Sequence, residues 1–171
     1  MMSKSQADKE KFTVVFICTG NICRSPMAAS SLGSRIPKIL KNKVIVISAG
    51  IRAWNGFAPT VEAELTARLQ GYDMSQHRSR SVDESIIRKS DLIICMENEQ
   101  KTHLLNRFPG ILEKTFTLNE FADRTGKIEN DVEDPYGKDI DAYKSTMSLI
   151  DHLLNLSESK IWKMARKKLK I

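Results

Sequence analysis

Nine residues near the start of the chain have types and spacing that suit nucleophilic attack on a bound anion: Cys18-Thr19-Gly20-Asn21-Ile22-Cys23-Arg24-Ser25-Pro26. They follow an apolar run that predicts a buried strand, and Pro26 begins a pattern typical of a helix. A loop between a strand and a helix N-terminus directs backbone N–H groups and the helix dipole at one point. The segment therefore predicts an anion-binding loop with a thiol at its start and a guanidinium near its end.

Individual residue types in this loop suit separate parts of that chemistry. A helix N-terminus and a nearby arginine favour the ionised form of the Cys18 thiol, which can then act as a nucleophile. Arg24 has a planar pair of donors that matches two phosphoryl oxygens. Gly20 and Asn21 are residue types that accept a left-handed backbone, which lets the loop turn its N–H groups inward. The Ser25 hydroxyl can donate to the Cys18 sulfur.

A proton donor for the leaving group is expected much later, in Asp131-Val132-Glu133-Asp134-Pro135-Tyr136-Gly137. Pro135 holds the residue before it extended, so the Asp134 carboxyl can lean over a neighbouring site. By itself, such a segment would be interpreted as an acidic turn or a helix N-cap. Together with the Cys18 loop, it favours Asp134 as a general acid, with Asp131 and Glu133 as solvated charges.

The two motifs, in this order, resemble those of the low-molecular-weight protein-tyrosine phosphatases, and the resemblance covers roughly residues 12–156. It implies a cytoplasmic enzyme without metal or cofactor that works through a phosphocysteine. It assigns Cys18 as the nucleophile, Arg24 as the phosphate clamp and Asp134 as the acid and then the base. The other expected site residues bind phosphate, order the loop or flank a phenyl ring at the entrance: Thr19, Gly20, Asn21, Ile22, Cys23 and Ser25 in the loop, with Trp54 and Tyr136 as the aromatic walls.

The three cysteines do not form the framework expected of a disulfide-rich extracellular protein, which agrees with a cytoplasmic location. In the family, the second loop cysteine can form a reversible disulfide with the nucleophile. Cys23 therefore has two open interpretations, a redox partner of Cys18 or a small packed residue. Cys95 lies in an apolar run and is expected to be inert core.

The histidines do not have the spacing of metal ligands: His77, His103 and His152 are far apart in the sequence. In the family, the region that corresponds to residues 77–80 approaches the catalytic loop from behind. The resemblance therefore indicates that His77 or Arg78 braces the loop.

Apolar runs that alternate with helical patterns predict a parallel sheet with helices on both faces. We expect one α/β domain of three layers around a twisted four-stranded parallel sheet. Predicted strands cover residues 12–17, 43–48, 92–96 and 114–118. Predicted helices cover 26–36, 59–69, a short helix ending at 88 with a capping box from Ser81 to Glu84, 97–106 and 139–156. Ligands in such folds bind at the carboxyl ends of the strands, where Cys18 lies.

The domain boundaries follow composition: a polar extension over residues 1–11, a phosphatase domain over 12–156 and a basic tail over 157–171. Residues 158–171 contain six lysines and arginines against one glutamate, whereas the whole chain has a net charge of +6. We favour a solvated or packed tail over contact with an anionic membrane or an acidic partner. No nucleic-acid binding is expected, because the rest of the chain has no basic stripe. The first apolar run is too short for a signal peptide or membrane span, and the sequence does not indicate an oligomeric state.

Three alternatives to a tyrosine phosphatase fit the sequence less well. A related arsenate reductase needs additional cysteines to relay a disulfide, and only Cys95 is left for that role. In protein-arginine phosphatases of the same family, the loop position of Ile22 tends to be threonine, whereas the apolar Ile22 suits a phenyl ring. A phosphate-binding module without turnover would not need both the nucleophile and the acid. We therefore predict hydrolysis of phosphotyrosine in protein substrates.

Overall fold

A parallel sheet of four strands positions the loop that begins at Cys18. The computed structural model describes residues 11–123 and 131–171. The strands are arranged in the order β2-β1-β3-β4, and all neighbours are parallel. Their bounds are Phe12–Cys18 for β1, Val44–Gly50 for β2, Leu92–Cys95 for β3 and Thr115–Thr117 for β4. Since β2 lies on one side of β1 and β3 on the other, the chain changes direction beside the end of β1, which is the usual ligand position in such sheets.

Six α-helices lie in the described ranges, together with two short 3₁₀ helices. The α-helices are α1 (Arg24–Ser34), α2 (Val61–Leu69), α3 (Glu84–Lys89), α4 (Asn98–Arg107), α5 (Leu118–Ala122) and α6 (Ile140–Leu169). The 3₁₀ helices, Lys38–Leu40 and Leu112–Lys114, come just before β2 and β4. Within these ranges, no helix has both the length and the apolar character needed to cross a membrane.

The sheet is buried on both faces, as the alternation of side chains in β1 demonstrates. Val14 and Phe16 belong to the core formed with α1 and α6, whereas Val15 and Ile17 belong to the core formed with α3 and α4. All four side chains have no exposed surface. Complete burial of such a side chain contributes about 1.5–3 kcal/mol, so β1 anchors the loop that follows it to a rigid base. The predicted α/β fold of three layers is confirmed.

The predicted capping box of the third helix is wrong. The residue that caps α3 is Asp83, whose side chain accepts the Ile86 N–H at 2.8 Å. Ser81 instead forms an isolated parallel bridge with Gly50. The Ser81 backbone thus pairs with the last residue of β2 at the edge of the sheet. This pairing competes with a role for Ser81 as the helix cap.

The sequence analysis missed α5 and ended the last helix too early. Helix α5 is only five residues long and depends on a capping box between Thr117 and Glu120. Helix α6 continues without interruption across the predicted boundary at residue 156. Ile161, Trp162 and Ala165 of the tail are buried, and the Lys160 ammonium lies 4.1 Å from the centre of the Phe121 ring. One face of the basic tail is therefore packed against the domain, and the other is in solvent.

Gly50 is expected to be intolerant of a side chain. A Cβ at this position would lie 2.5 Å from the carbonyl oxygen of Thr19 and 3.0 Å from the Asn21 nitrogen, both backbone atoms of the loop after β1. Gly50→Ala should therefore destabilise the protein by about 1–3 kcal/mol in urea unfolding, because the loop must move. Gly33→Ala is the matched control, since a Cβ there meets nothing within 4 Å. In helix α1 it should stabilise by about 0.5–1 kcal/mol. Equal stability of the two variants would contradict this packing argument.

Candidate active site

Asn21 organises the phosphate loop, which we define as residues 18–25, from the inside. Its φ of 57° is left-handed, whereas Gly20 has an ordinary backbone, so only one of the two predicted residues uses that conformation. The Asn21 side chain donates to the hydroxyls of Ser25 and Ser48, both at 2.9 Å, and accepts the Arg80 N–H at 2.9 Å. This buried amide joins the loop to β2 and to the segment before α3.

The Cys18 sulfur lies at the bottom of the loop and faces two groups that can donate to it. The Ser25 hydroxyl is 3.0 Å from the sulfur, and the backbone N–H of Asn21 donates to it at 3.2 Å. Helix α1 begins at Arg24, so its N-terminus lies close to the same sulfur. Each of these groups stabilises negative charge on sulfur, both in an attacking thiolate and in a departing one.

Arg24 is 1% exposed, and its guanidinium is held by three groups. Nη1 donates to the Val132 carbonyl at 2.9 Å and pairs with Glu97 at 2.8 Å. Nη2 pairs with the Asp134 carboxylate at 2.6 Å. Among the described residues, the buried Nε has no hydrogen-bond partner. The plane of the guanidinium is thereby fixed, and the Nε–H and the second N–H of Nη2 remain as donors for phosphoryl oxygens.

Two residues of this arrangement, Glu97 and Gln100, were missed by the sequence analysis. The Gln100 side chain is fully buried and accepts the backbone N–H groups of Met96 and Glu97 at 3.0 and 3.1 Å. Its amide nitrogen donates to Glu97 at 2.5 Å and to the Thr19 hydroxyl at 3.3 Å. Gln100 therefore holds Glu97 against Arg24 and also contacts the phosphate loop. The signal that the sequence offered for Glu97 was its position directly after the predicted strand at 92–96.

His77 contacts the backbone of the phosphate loop. Its Nε2 is 2.8 Å from the Asn21 carbonyl oxygen, which can only accept, so Nε2 is the donor. Burial lowers the pKa of His77, which favours the neutral ring. Of the two residues considered as braces, His77 makes this contact, while Arg78 donates to backbone carbonyls including that of His77. No group of three or more His, Cys, Asp or Glu side chains in the described part of the chain is arranged to hold a metal ion.

A pocket of about 230 Å³ opens above the Cys18 sulfur. Tyr136 stands at its rim and is 64% exposed, whereas Trp54 is 81% exposed and is not part of the lining. Asn21 and Ser25 are not part of the lining, and they support the loop through their hydrogen bonds. The lining combines the predicted nucleophile, clamp and acid with apolar and small groups: Cys18, Thr19, Gly20, Ile22, Cys23, Arg24, Asp134 and Tyr136.

The second loop cysteine, Cys23, points its sulfur towards two hydroxyls. The sulfur lies 3.5 Å from the Thr60 hydroxyl and 3.6 Å from that of Tyr143. Burial raises the pKa of the Cys23 thiol, and it raises the pKa of Tyr143 to about 12. All three cysteines are free, and burial also raises the pKa of Cys95 in β3. The disulfide between Cys18 and Cys23 stays a prediction.

Glu97→Gln should impair turnover without unfolding the protein. The substitution keeps the shape of the side chain but removes the charge that holds Arg24, so we expect kcat/KM for a small aryl phosphate to fall about tenfold or more. Glu99→Gln is the matched control, because Glu99 is mostly exposed and pairs with Arg52 at the surface. Steady-state kinetics and thermal melting of both variants check this expectation. Full activity of Glu97→Gln would show that Arg24 is positioned without it.

Comparison with known proteins places this geometry in one family. The family model described as low molecular weight phosphotyrosine protein phosphatase matches residues 13–166. The chain is 34% identical over 138 residues to a probable low molecular weight protein-tyrosine-phosphatase, EpsP, of Ralstonia nicotianae, covering 81% of this chain and 88% of the relative. It is 35% identical over 141 residues to a protein-arginine-phosphatase of Bacillus subtilis, covering 82% and 91%.

The fold agrees with these sequence comparisons. The crystal structure of a low molecular weight protein tyrosine phosphatase from T. tengcongensis superposes with a TM-score of 0.80 at 35% identity, covering 88% of this chain and 99% of that one. The match to the family model spans most of the domain and includes both the phosphate loop and the acid loop around Asp134. The chain therefore belongs to the low-molecular-weight phosphotyrosine protein phosphatase family.

Proposed function

We propose that this protein hydrolyses phosphotyrosine in protein substrates and that Cys18 carries the phosphoryl group between two steps. The observation that carries the proposal is the meeting of three groups in one pocket. These are the Cys18 sulfur, the buried Arg24 guanidinium and the Asp134 carboxylate, which together line its floor and wall. A cytoplasmic location suits this chemistry, because the nucleophile has to stay a reduced thiol.

The first step transfers the phosphoryl group to sulfur. The Cys18 thiolate attacks phosphorus in line, the S–P bond forms and the bond from phosphorus to the phenolic oxygen breaks. Arg24 and the N–H groups of the phosphate loop bind the phosphoryl oxygens, where negative charge has to be stabilised. Asp134 enters this step in its protonated form and gives that proton to the departing phenolic oxygen. The phenol then leaves as a neutral molecule.

The second step releases phosphate. Asp134, now a carboxylate, takes a proton from a water molecule that attacks phosphorus. The S–P bond breaks, and its electron pair returns to the Cys18 sulfur. The Ser25 hydroxyl and the Asn21 N–H, 3.0 and 3.2 Å from that sulfur, stabilise the thiolate as it leaves. The proton taken from water leaves Asp134 in its acid form again, so the enzyme is ready for another substrate.

Phosphoarginine is the second candidate substrate, because this chain is about as similar to a named protein-arginine-phosphatase as to a named tyrosine phosphatase. The pocket lining supports phosphotyrosine. Ile22 contributes a branched apolar side chain and Tyr136 an aromatic ring to the walls, and both suit a phenyl group better than a guanidinium. In addition, the guanidinium of phosphoarginine would require polar groups to accept its N–H donors, and the Ile22 side chain provides none.

The assignment of Cys18 and Asp134 predicts two different losses. Cys18→Ser should abolish turnover of a phosphotyrosine peptide. Asp134→Ala should reduce it about 10²–10⁴-fold, because the leaving phenolate then has no proton donor. The loss should be smaller for p-nitrophenyl phosphate, because its nitrophenolate leaving group is more stable without a proton. Glu133→Gln is the matched control, since Glu133 is exposed beside Asp134 and pairs with Lys138. An equal loss for both substrates in Asp134→Ala would contradict the role as general acid.

Ile22→Thr tests the substrate class. Replacing an apolar wall with a hydroxyl should change the ratio of kcat/KM for phosphoarginine to that for phosphotyrosine peptides by about tenfold or more, in favour of phosphoarginine. The unmodified protein should prefer phosphotyrosine. A preference for phosphoarginine in the unmodified protein would keep the phosphocysteine chemistry and overturn the proposed substrate.

A further inference from the structure

The edge of the sheet where the strands begin lies opposite the active site and collects several segments of the chain. Because all four strands are parallel, each connection that leads into a strand ends at this edge. Backbone hydrogen bonds join these beginnings: the Phe12 N–H donates to Lys43, and the Asp91 N–H donates to Thr13. We define the strand-start edge as Lys11, residues 35–43, 89–91 and 107–114, and the last turns of α6 from residue 163 to 171.

Helix α6 runs from the active-site end of the domain to the strand-start edge. It begins at Ile140, shortly after Asp134, and its 30 residues span about 45 Å. Near its end, the Lys168 ammonium donates to the Lys11 carbonyl and pairs with Asp91 at 2.6 Å. The positive charge of the tail is thereby held beside the connections into β1 and β3.

The exposed charges of the strand-start edge have nearly one sign. In its described segments, Glu113 is the exposed acidic side chain, and the Asp91 side chain is only 14% exposed and paired with Lys168. The exposed cations come from every segment: Lys11, Lys38, Lys41, Lys43, Lys89, Arg107, Lys163, Arg166, Lys167 and Lys170. Such a surface attracts a partner with a high density of negative charge.

Three aliphatic side chains stand among these cations. Ile39 is 61% exposed, Leu112 is 62% exposed and Ile171 at the C-terminus is 47% exposed. They come from the connections into β2 and β4 and from the end of α6, so they are spread across the edge. Exposed aliphatic groups between lysines are typical of surfaces that rest in the headgroup region of a bilayer. The apolar face of the tail is not available for this, because Ile161 and Trp162 are buried.

We propose that the strand-start edge binds the surface of bilayers that contain anionic lipids. The tail alone did not favour a membrane over solvent, but the structure adds two further segments, 35–43 and 107–114, that carry both exposed cations and an exposed aliphatic group. The cations are mainly lysines and no exposed aromatic ring lies in these described segments, which favours lipid over nucleic acid. The pocket at Cys18 lies at the other end of the parallel strands, so it stays accessible when the strand-start edge is bound to a bilayer. This surface is independent of the proposed phosphatase activity.

Co-sedimentation with vesicles tests the proposal on the full chain. The protein should pellet with vesicles of phosphatidylcholine and phosphatidylglycerol, less so at high salt, and not with phosphatidylcholine alone. Lys41→Glu/Lys170→Glu should weaken binding at least about tenfold. Lys138→Glu/Lys144→Glu makes the same change in net charge at the other end of α6 and should bind like the unmodified protein. Ile39→Ser/Leu112→Ser should weaken binding with no change in charge.

Each contrary result would overturn the proposal. Failure to pellet with anionic vesicles would do so directly, and equal losses in the two charge variants would mean that net charge alone acts. Undiminished binding of Ile39→Ser/Leu112→Ser, or binding of duplex DNA in place of vesicles, would remove the case for lipid. Thermal melting and turnover of a small aryl phosphate should match the unmodified protein in Lys41→Glu/Lys170→Glu and Ile39→Ser/Leu112→Ser. This control separates loss of the surface from loss of the fold.

Discussion

The geometry of the site depends on the buried charge of Arg24. A guanidinium removed from water is stable only when carboxylates and carbonyls satisfy its N–H donors. Here the partners are Glu97, the Val132 carbonyl and Asp134, of which the last is 110 positions away in the sequence. Satisfying one cation therefore brings the phosphate loop, the end of β3 and the acid loop together. The proposed catalytic groups, which lie on separate segments, acquire a fixed relation before any substrate binds.

This arrangement is preorganised for an anion in a second respect. The backbone of the phosphate loop is held from below by the buried Asn21 side chain, which bonds Ser25, Ser48 and the Arg80 N–H. His77 adds a contact to the Asn21 carbonyl. Donors held in place by such a network do not have to reorganise as charge develops in a transition state, which is the main source of electrostatic stabilisation in enzymes. The rigidity of β1 beneath the loop serves the same end.

The sequence predicts those parts of the site whose residues are contiguous. Cys18, Arg24 and Ser25 lie in one segment between a strand and a helix, and Asp134 is followed by proline in a loop. Glu97 and Gln100 have no such motif, because their role depends on β3 lying beside β1, and strand order is not visible in a single sequence. The same holds for the Gly50 contact with the loop.

Short and competing signals explain the errors in the fold. Helix α5 has too few residues to show a helical period, although its cap at Thr117 is followed three residues later by Glu120. Ser81 has the residue types of a capping box around it, but its backbone pairs with Gly50 instead. The apolar residues of the tail can be identified in the sequence, but the part of the domain that buries them cannot.

Trapping the intermediate tests the central claim most directly. The protein is mixed with a phosphotyrosine peptide, quenched within milliseconds and analysed by mass spectrometry of its peptides. The account predicts one phosphoryl group on Cys18, formed in a burst with product and absent from Cys23. Turnover with no phosphorylated enzyme, or a phosphoryl group on any other residue, would contradict the account, because the whole geometry of the pocket is built around attack by the Cys18 sulfur.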